Sequence, residues 1–360
     1  MAAYSLQGPS RTGFVLLLLC TCIPFPAPAS GSDGGALHVK SGESIQAAIN
    51  AAYSGQMIVV ELGTYAEQLT INTDGLQLVG KGASLVPPGA VVRNTCTGLA
   101  GPDTEAGICV TGQDVTLADF VLDHRQVLSV GQPVKDILVT GFQIQGFGLD
   151  VAVVGGQNTT IVGNGLYDGG QYGCLSTGSN NSHVDTNNVT STGGLRYIGI
   201  CMDDMTPGQI TNNSIEGYNF ALCVQTDGAH VANNHVLESC FGAFVDPGVQ
   251  GAKVLDNHVG GASLMCASLP GEAMGGITIF AASDTEVQGN VVEGMRAGGL
   301  VNATAGITLV DDPTTNSTAT GNKVVGNTLL DNDLDIYVRT AGAGNVVKDN
   351  KCSTPAELCG

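Results

Sequence analysis

Asp203, Gln225 and Asp246 stand at matching points of three successive repeats in a chain of 360 residues. If each repeat adds one parallel strand at about 4.8 Å per layer, the two carboxyls lie roughly 9–10 Å apart. Two carboxyls separated by about 6.5–9.5 Å suit a general acid and a general base with a water molecule between them. Asp204 follows Asp203 into the next turn, and Arg196 and Tyr197 precede it on the same stretch. Asp203, Asp246 and Arg196 are therefore expected to carry chemistry, Arg196 in an electrostatic or base role. Asp204, Gln225, Tyr197 and Phe244 are expected to contact a substrate. His124, Arg125, Asp168, Glu238 and Arg296 belong to turns that could lean over the same place.

That expectation requires elements that keep register. From residue 108 onward one pattern recurs: apolar, two variable residues, Asn, one variable residue, apolar. It reads Ile161, Asn164 and Leu166, then Val184, Asn187 and Val189. It continues through Asn213, Asn234, Asn257, Asn290, Asn327 and Asn350, with Ala118 and Phe142 replacing Asn in two earlier copies. The rung at Asn327 has an alternative register at Asn322. The spacing is near 23 residues and stretches to 33 and 37 after Asn257. Past many of these Asn comes a small residue and then an alternating apolar run. Examples are Gly199-Ile200-Cys201-Met202, Ala221-Leu222-Cys223-Val224 and Gly242-Ala243-Phe244-Val245. Alternation with period 2 over such short runs predicts strands. One unit of two or three short strands cannot bury its own apolar face, whereas stacked units can. An Asn side chain both donates and accepts, so the recurring Asn predicts a hydrogen-bonded ladder from coil to coil.

This pattern resembles the right-handed parallel β-helix, the pectin-lyase-like family, and the resemblance spans residues 37–352. Residues 45–52 read as a short amphipathic helix, followed by Ile58-Val59-Val60, Gly63-Thr64-Tyr65 and a strand around residues 76–79. That order looks like the capping helix and first coils of pectinesterase- and lyase-like β-helices. The resemblance implies an all-β, single-stranded right-handed parallel β-helix of about ten or more coils with an N-terminal capping helix. Three regions follow: a signal peptide over residues 1–29, a cap helix and first coils over 30–92, and β-helix repeats with a C-terminal cap over 93–360. In enzymes of this fold the catalytic residues lie on the outer face of the first strand of each coil. The Asp column falls there, and Phe244 beside it suits stacking against a sugar ring.

The same strand contributes a column of small residues: Gly173, Gly199, Ala221, Gly242, Gly276 and Gly306. If it faces outward it makes a shelf for a chain-like ligand. Long insertions over residues 260–275 and 294–305 flank that face. Complete family signatures are absent. Asp203-Asp204 resembles the Asp-Asp pair of polygalacturonases, but Ser176-Thr177 stand where Asn-Thr-Asp is needed and the later His is missing. Asp246-Pro247-Gly248-Val249 keeps two positions of the alginate C5-epimerase motif and loses its acid–base His. The Gln and Asp pairs of pectinesterases have no counterpart. No cofactor is implied. Calcium is the one ion that Asp203, Asp204 and Asp246 could bind, as oxygen ligands, although the Arg of calcium-dependent pectate lyases has only distant Arg339 as a match. His235 and His258 stack one coil apart and read as solvent-facing turn residues.

Composition bounds what such a chain can do. Its net charge is −19, from 32 acidic and 13 basic residues, which excludes a nucleic-acid partner. With 52 glycines among 360 residues it is not mostly helical. Residues 14–23 form an apolar run behind Arg11, with Ala27 and Ala29 before Ser30, as in a secretory signal peptide. After its removal the protein is expected to be secreted, without membrane association, and monomeric. Of 11 cysteines, Cys20 and Cys22 leave with the signal and nine remain, so at least one is unpaired within the chain. Cys96 with Cys109, and Cys352 with Cys359, would each close a short loop. Asn-x-Ser/Thr sequons at Asn158, Asn180, Asn188, Asn212, Asn302 and Asn316 would suit a glycoprotein. The leading functional expectation is a carbohydrate-active enzyme acting on a polysaccharide as a lyase, hydrolase or epimerase. Two alternatives stand beside it: a noncatalytic glycan-binding or surface protein, and an isomerase or cyclase for a small-molecule substrate, with Leu264-Met265-Cys266 and Met274 lining its pocket.

Overall fold

In the computed structural model, residues 35–268, 275–296 and 304–359 are described. The expected signal peptide over residues 1–29, with Cys20 and Cys22, lies outside the described residues, as do Met274 and Asn302. The chain opens with the strand Leu37–Val39 and the helix Ile45–Ala51. Ser44 caps that helix by accepting from the Ala47 amide at 3.1 Å. Glu67, from the strand-rich chain beyond, accepts from the Ile45 and Gln46 amides at 2.9 and 3.0 Å, placing a carboxylate at the positive end of the helix. Ile45 and Ile49 turn inward and join the interior apolar cluster, so the helix covers the first coil.

Beyond the cap, the chain winds as a parallel β-helix. Ten parallel strands form one sheet, among them Leu149–Val154, Tyr172–Thr177, Arg196–Asp203, Tyr218–Val224 and Phe241–Val245. Twenty strands, most of them of three residues, form the second sheet. The second sheet runs as two ladders joined by the long strands Gln77–Val86 and Leu138–Gln145. The repeating Asn occupies the corner between those ladders. Each of Asn164, Asn187, Asn213, Asn234, Asn257, Asn290 and Asn327 donates its side-chain amide to the next Asn Oδ1, at 2.9–3.1 Å. The residue before each ladder Asn has positive φ; Gly163, Asn212, Asn233, Asp256, Gly289, Gly326 and Asp349 supply types that tolerate it, and Thr186 before Asn187 is the β-branched exception. Asn322 is a separate corner that starts a short second ladder with Asn345 at 3.0 Å.

The interior is filled by the inward columns, for example Val151, Cys174, Ile200, Leu222 and Ala243. The small-residue column also faces inward, which corrects the expected shelf. A Cβ on Gly173 would lie 2.4 Å from Val189 Cγ1, and one on Gly242 would lie 2.4 Å from Val259 Cγ1. These positions are small because the opposite sheet's valines occupy the space, so they offer no outer surface to a ligand.

Four disulfides close the described chain. Cys96–Cys109 and Cys352–Cys359 are the expected short loops. Cys201–Cys223 joins neighbouring positions of one outward column, and Cys240–Cys266 anchors the insertion after the strand His258–Gly260. Cys174 is unpaired and buried. No helix among the described residues is long and apolar enough to cross a membrane. The disulfides are consistent with an extracellular protein.

Candidate active site

Strand register brings the central residues together. Thr177 pairs with Asp203, while Met202 pairs with Val224 and Val224 with Val245, so the next positions Asp203, Gln225 and Asp246 form one column. Backbone bonds keep it: the Gln225 amide donates to Met202 O at 2.9 Å and the Asp246 amide to Val224 O at 3.0 Å. Asp203 and Asp246 are two rungs apart, about 9–10 Å between backbones. Gln225 fills the rung between and donates its side-chain amide to Asp246 Oδ2.

A second element walls this column. The segment after Cys96 folds across the outer face of the ten-stranded sheet, where Cys96, Leu99 and Ala100 pack on Cys109, Ala152, Leu175 and Cys201. Its far part is a small antiparallel pairing of Thr116–Leu117 with Val127–Ser129. Arg125 braces that turn, donating Nε to Ala118 O at 2.6 Å and Nη2 to Leu117 O at 3.3 Å. The brace presents Asp123 and His124 to the sheet. His124 Nε2 lies 3.0 Å from Asp203 Oδ2, and His124 Nδ1 lies 3.1 Å from the Tyr172 hydroxyl. Thr177 also donates to Asp203 Oδ2 at 3.0 Å. Tyr197 donates to Asp123 Oδ1, tying the wall to the strand.

Between wall and column lies a cavity of about 650 Å³. Asp203, Gln225 and Asp246 form its floor, with Asp119, Asp123, His124 and Gln126 on one side and Asp312 and Thr315 on the other. No lysine or arginine lines it among the described residues. Burial pushes the Asp246 carboxyl up to about 7; Asp123 and Asp203 push the same way, against the Gln225 amide and His124. Burial also raises the Tyr172 phenol, which stays protonated. Hydroxyl donation from Thr314 and Thr315 holds Asp312 below the usual carboxylate range.

The other expected residues are distributed around this centre. Phe244 stands one column away and packs edge-on against Phe220 and Phe241, with centroids 5.3 and 5.4 Å apart. Tyr197 reaches the cleft through Asp123. Asp204 points the other way, into the interior. There it accepts from the Ser176 hydroxyl at 2.5 Å and the Ser182 amide at 3.3 Å, and burial raises its carboxyl to about 6. Its turn alternates sides with Asp203, so it shares no ligand space with Asp203 and Asp246. Arg196 opens the strand that Asp203 closes, roughly 20 Å along it, and lies 3.9 Å from Asp168. The insertions over residues 260–275 and 294–305 are described only in part.

His124 occupies a place that spacing could not assign. It lies outside the repeat, in a segment that folds back over the sheet from 79 positions before Asp203. The sequence marks it only as one of several turn residues that could lean over the Asp column, in the cluster Asp123-His124-Arg125.

No protein-family model matches the chain, and no curated protein matches its sequence. Among solved structures, DFA-IIIase from Arthrobacter chlorophenolicus A6 in complex with GF2 is 15% identical with a TM-score of 0.52, over 80% of this chain and 82% of that one. The same enzyme without its lid gives 12% and 0.51, over 90% and 80%. The A-module of a mannuronan C-5 epimerase from Azotobacter vinelandii is 17% identical with a TM-score of 0.46, over 86% and 94%. The likeness to the first two is one of fold.

Proposed function

We propose that the cleft hydrolyses a glycosidic bond in a carbohydrate that carries no negative charge. The observation that carries this reading is the Asp203–Gln225–Asp246 column, in which the two carboxyls sit two rungs apart in different environments. Asp246, with its carboxyl raised to about 7, holds a proton in mildly acidic solution and serves as the acid. Asp203 serves as the base. A water between them loses a proton to Asp203 as its oxygen bonds to the anomeric carbon. The bond from that carbon to the leaving oxygen breaks, and the leaving oxygen takes the Asp246 proton. Solvent then returns Asp203 and Asp246 to their starting forms.

The lining favours hydrolysis over the lyase or epimerase alternatives. Both of those abstract a proton next to a uronate carboxylate, and the developing charge needs a cation opposite it. Among the described residues this cleft offers five aspartates, Asp119, Asp123, Asp203, Asp246 and Asp312, and no lysine or arginine. A polyanion meets repulsion there. That solved neighbours of this fold are named for carbohydrate-acting enzymes fits the reading.

The test is incubation of the protein with neutral and anionic oligosaccharides, followed by NMR of fresh products. New reducing ends of inverted anomeric configuration from a neutral substrate are expected. Unsaturated uronate products, or turnover unchanged in both Asp203→Asn and Asp246→Asn, would overturn it.

A further inference from the structure

We infer that His124, locked by Tyr172, positions Asp203 and selects which of its two oxygens does the work. This rests on the reading of Asp203 as the base. Tyr172 is fully buried, and His124 Nδ1 is the one partner found for its hydroxyl among the described residues. His124 is itself buried, and its other nitrogen faces a carboxylate oxygen.

With Asp203 ionised, one assignment of protons satisfies every group, because a proton on Nδ1, in a neutral or a cationic ring, leaves the Tyr172 hydroxyl proton without an acceptor. Were the neutral ring protonated on Nδ1, the Nε2 lone pair would face Asp203 Oδ2 at 3.0 Å, acceptor against acceptor. The Tyr172 proton would also lose its acceptor inside the protein, where an unmade hydrogen bond costs about 1–3 kcal/mol. With the proton on Nε2, every group is satisfied. Tyr172 donates to Nδ1, and Nε2–H donates to Asp203 Oδ2. Thr177 gives that same oxygen a second donor. No hydrogen bond to Asp203 Oδ1 is found among the described residues. Oδ2 is thereby occupied, and Oδ1 is the oxygen left to take a proton from water in the cleft.

His124 acts through Asp203, as a positioning residue. Three groups of different elements are involved: Tyr172 and Thr177 from one strand, Asp203 from the next, and His124 from the overlying segment. The wall thus completes the site as well as enclosing it.

Two readouts test the inference. In the first, ¹⁵N NMR of the imidazoles, assigned with His124→Gln, is expected to show His124 as the Nε2–H tautomer in wild type and a tautomer mixture in Tyr172→Phe. An Nδ1–H ring in wild type would overturn the proposal whatever the activity. In the second, kinetics on whichever neutral glycan proves a substrate, His124→Ala is expected to lower kcat about 100-fold with KM changed less than about threefold. His124→Gln, whose side-chain amide can reach the place of Nε2–H, is expected to recover about tenfold of that loss. Equal kcat in His124→Ala and wild type, or no difference between Ala and Gln, would overturn it. Should no carbohydrate be hydrolysed while the tautomer is Nε2–H and shifts in Tyr172→Phe, the hydrolase reading fails and the lock stands.

Discussion

Gln225 donates its side-chain amide to Asp246 from the rung below, so the layer between the two carboxylates of the cleft is held by a neutral donor. A carboxylate there would face Asp203 and Asp246 at about 4.8 Å on either side. The amide separates them and opposes the rise that burial imposes on Asp246.

Removing that donor should move the alkaline limb of activity. The Asp246 acid is lost as pH rises through about 7, so kcat is expected to fall above that point. Gln225→Leu keeps the volume and deletes the hydrogen bond. Its alkaline limb is expected to lie about 1–2 units higher, since one hydrogen bond to a charged group is worth about 1.5–3 kcal/mol. A limb that stays put or moves down in the pH–rate profile contradicts the assignment of Asp246 as the acid.

Stability should fall as pH rises across the same range. Asp246 and Asp204 have folded values near 7 and 6 against an ordinary value of 3.8. Between about pH 4 and 7 the folded state keeps protons that the unfolded chain has released, and stability therefore declines with rising pH. Burial raises the Asp150 carboxyl in the same direction, so Asp246→Asn removes one of three contributing groups. Its urea midpoint is expected to vary less between pH 4.5 and 7.5 than that of wild type; an equal slope would count against the Asp246 shift.

The repeat was readable because it is enforced by packing at every coil. An Asn at a fixed offset, preceded by a residue tolerant of positive φ, reports a corner whose buried amide must be satisfied from both sides. The column of Asp203, Gln225 and Asp246 followed from that register. Two features did not. Small size at Gly173 and Gly242 reads alike whether the missing side chain would meet a ligand or Val189 and Val259, because composition carries no direction. His124 reaches Asp203 through a segment outside the period, and tertiary closure of such a segment leaves no spacing signal. Asp204 shows the same limit within one dipeptide: adjacent carboxylates on a strand end face opposite sides of the wall.

The Asn ladder should be worth measuring at its middle. Asn234 donates to Ile210 O at 2.9 Å and to Asn257 Oδ1 at 3.0 Å, and accepts from Asn213. Asn234→Ala removes these bonds and strands buried partners on both neighbouring coils. A loss of about 2–4 kcal/mol is expected from urea unfolding. Asn350 ends the ladder and has no Asn beyond it, so Asn350→Ala is expected to cost less. Equal costs would mean that the ladder contributes no coil-to-coil coupling.

Cys174 should be chemically silent in the folded protein. It lies in the interior column between Val151 and Ile200, and burial pushes its thiol up to about 12. The thiolate is the reactive form. Under native conditions at pH 8, iodoacetamide is expected to leave it unlabelled by mass spectrometry, and the peptide that carries Cys174 is expected to take up one equivalent once the chain is unfolded without reductant. Native labelling would place Cys174 outside the core.

The Cys96–Cys109 disulfide should matter for activity beyond its effect on stability. It closes a loop of 13 residues, for which the chain-entropy model gives about 3 kcal/mol. It also fixes the turn before the strand Ala106–Thr111, where the Leu99 carbonyl accepts from the amide of Arg125, the residue after His124, at 2.8 Å. Cys352–Cys359 closes a loop of 7 residues at the far end and touches no part of the cleft, which makes it the control. The paired variant Cys96→Ala/Cys109→Ala is expected to lose about 2–4 kcal/mol and, at temperatures where it remains folded, about tenfold in kcat, because the wall holding Asp203 through His124 is loosened. Cys352→Ala/Cys359→Ala is expected to lose stability alone. Comparing kcat at equal folded fraction separates the two effects: equal activity of both variants would show that the wall keeps its position without the staple.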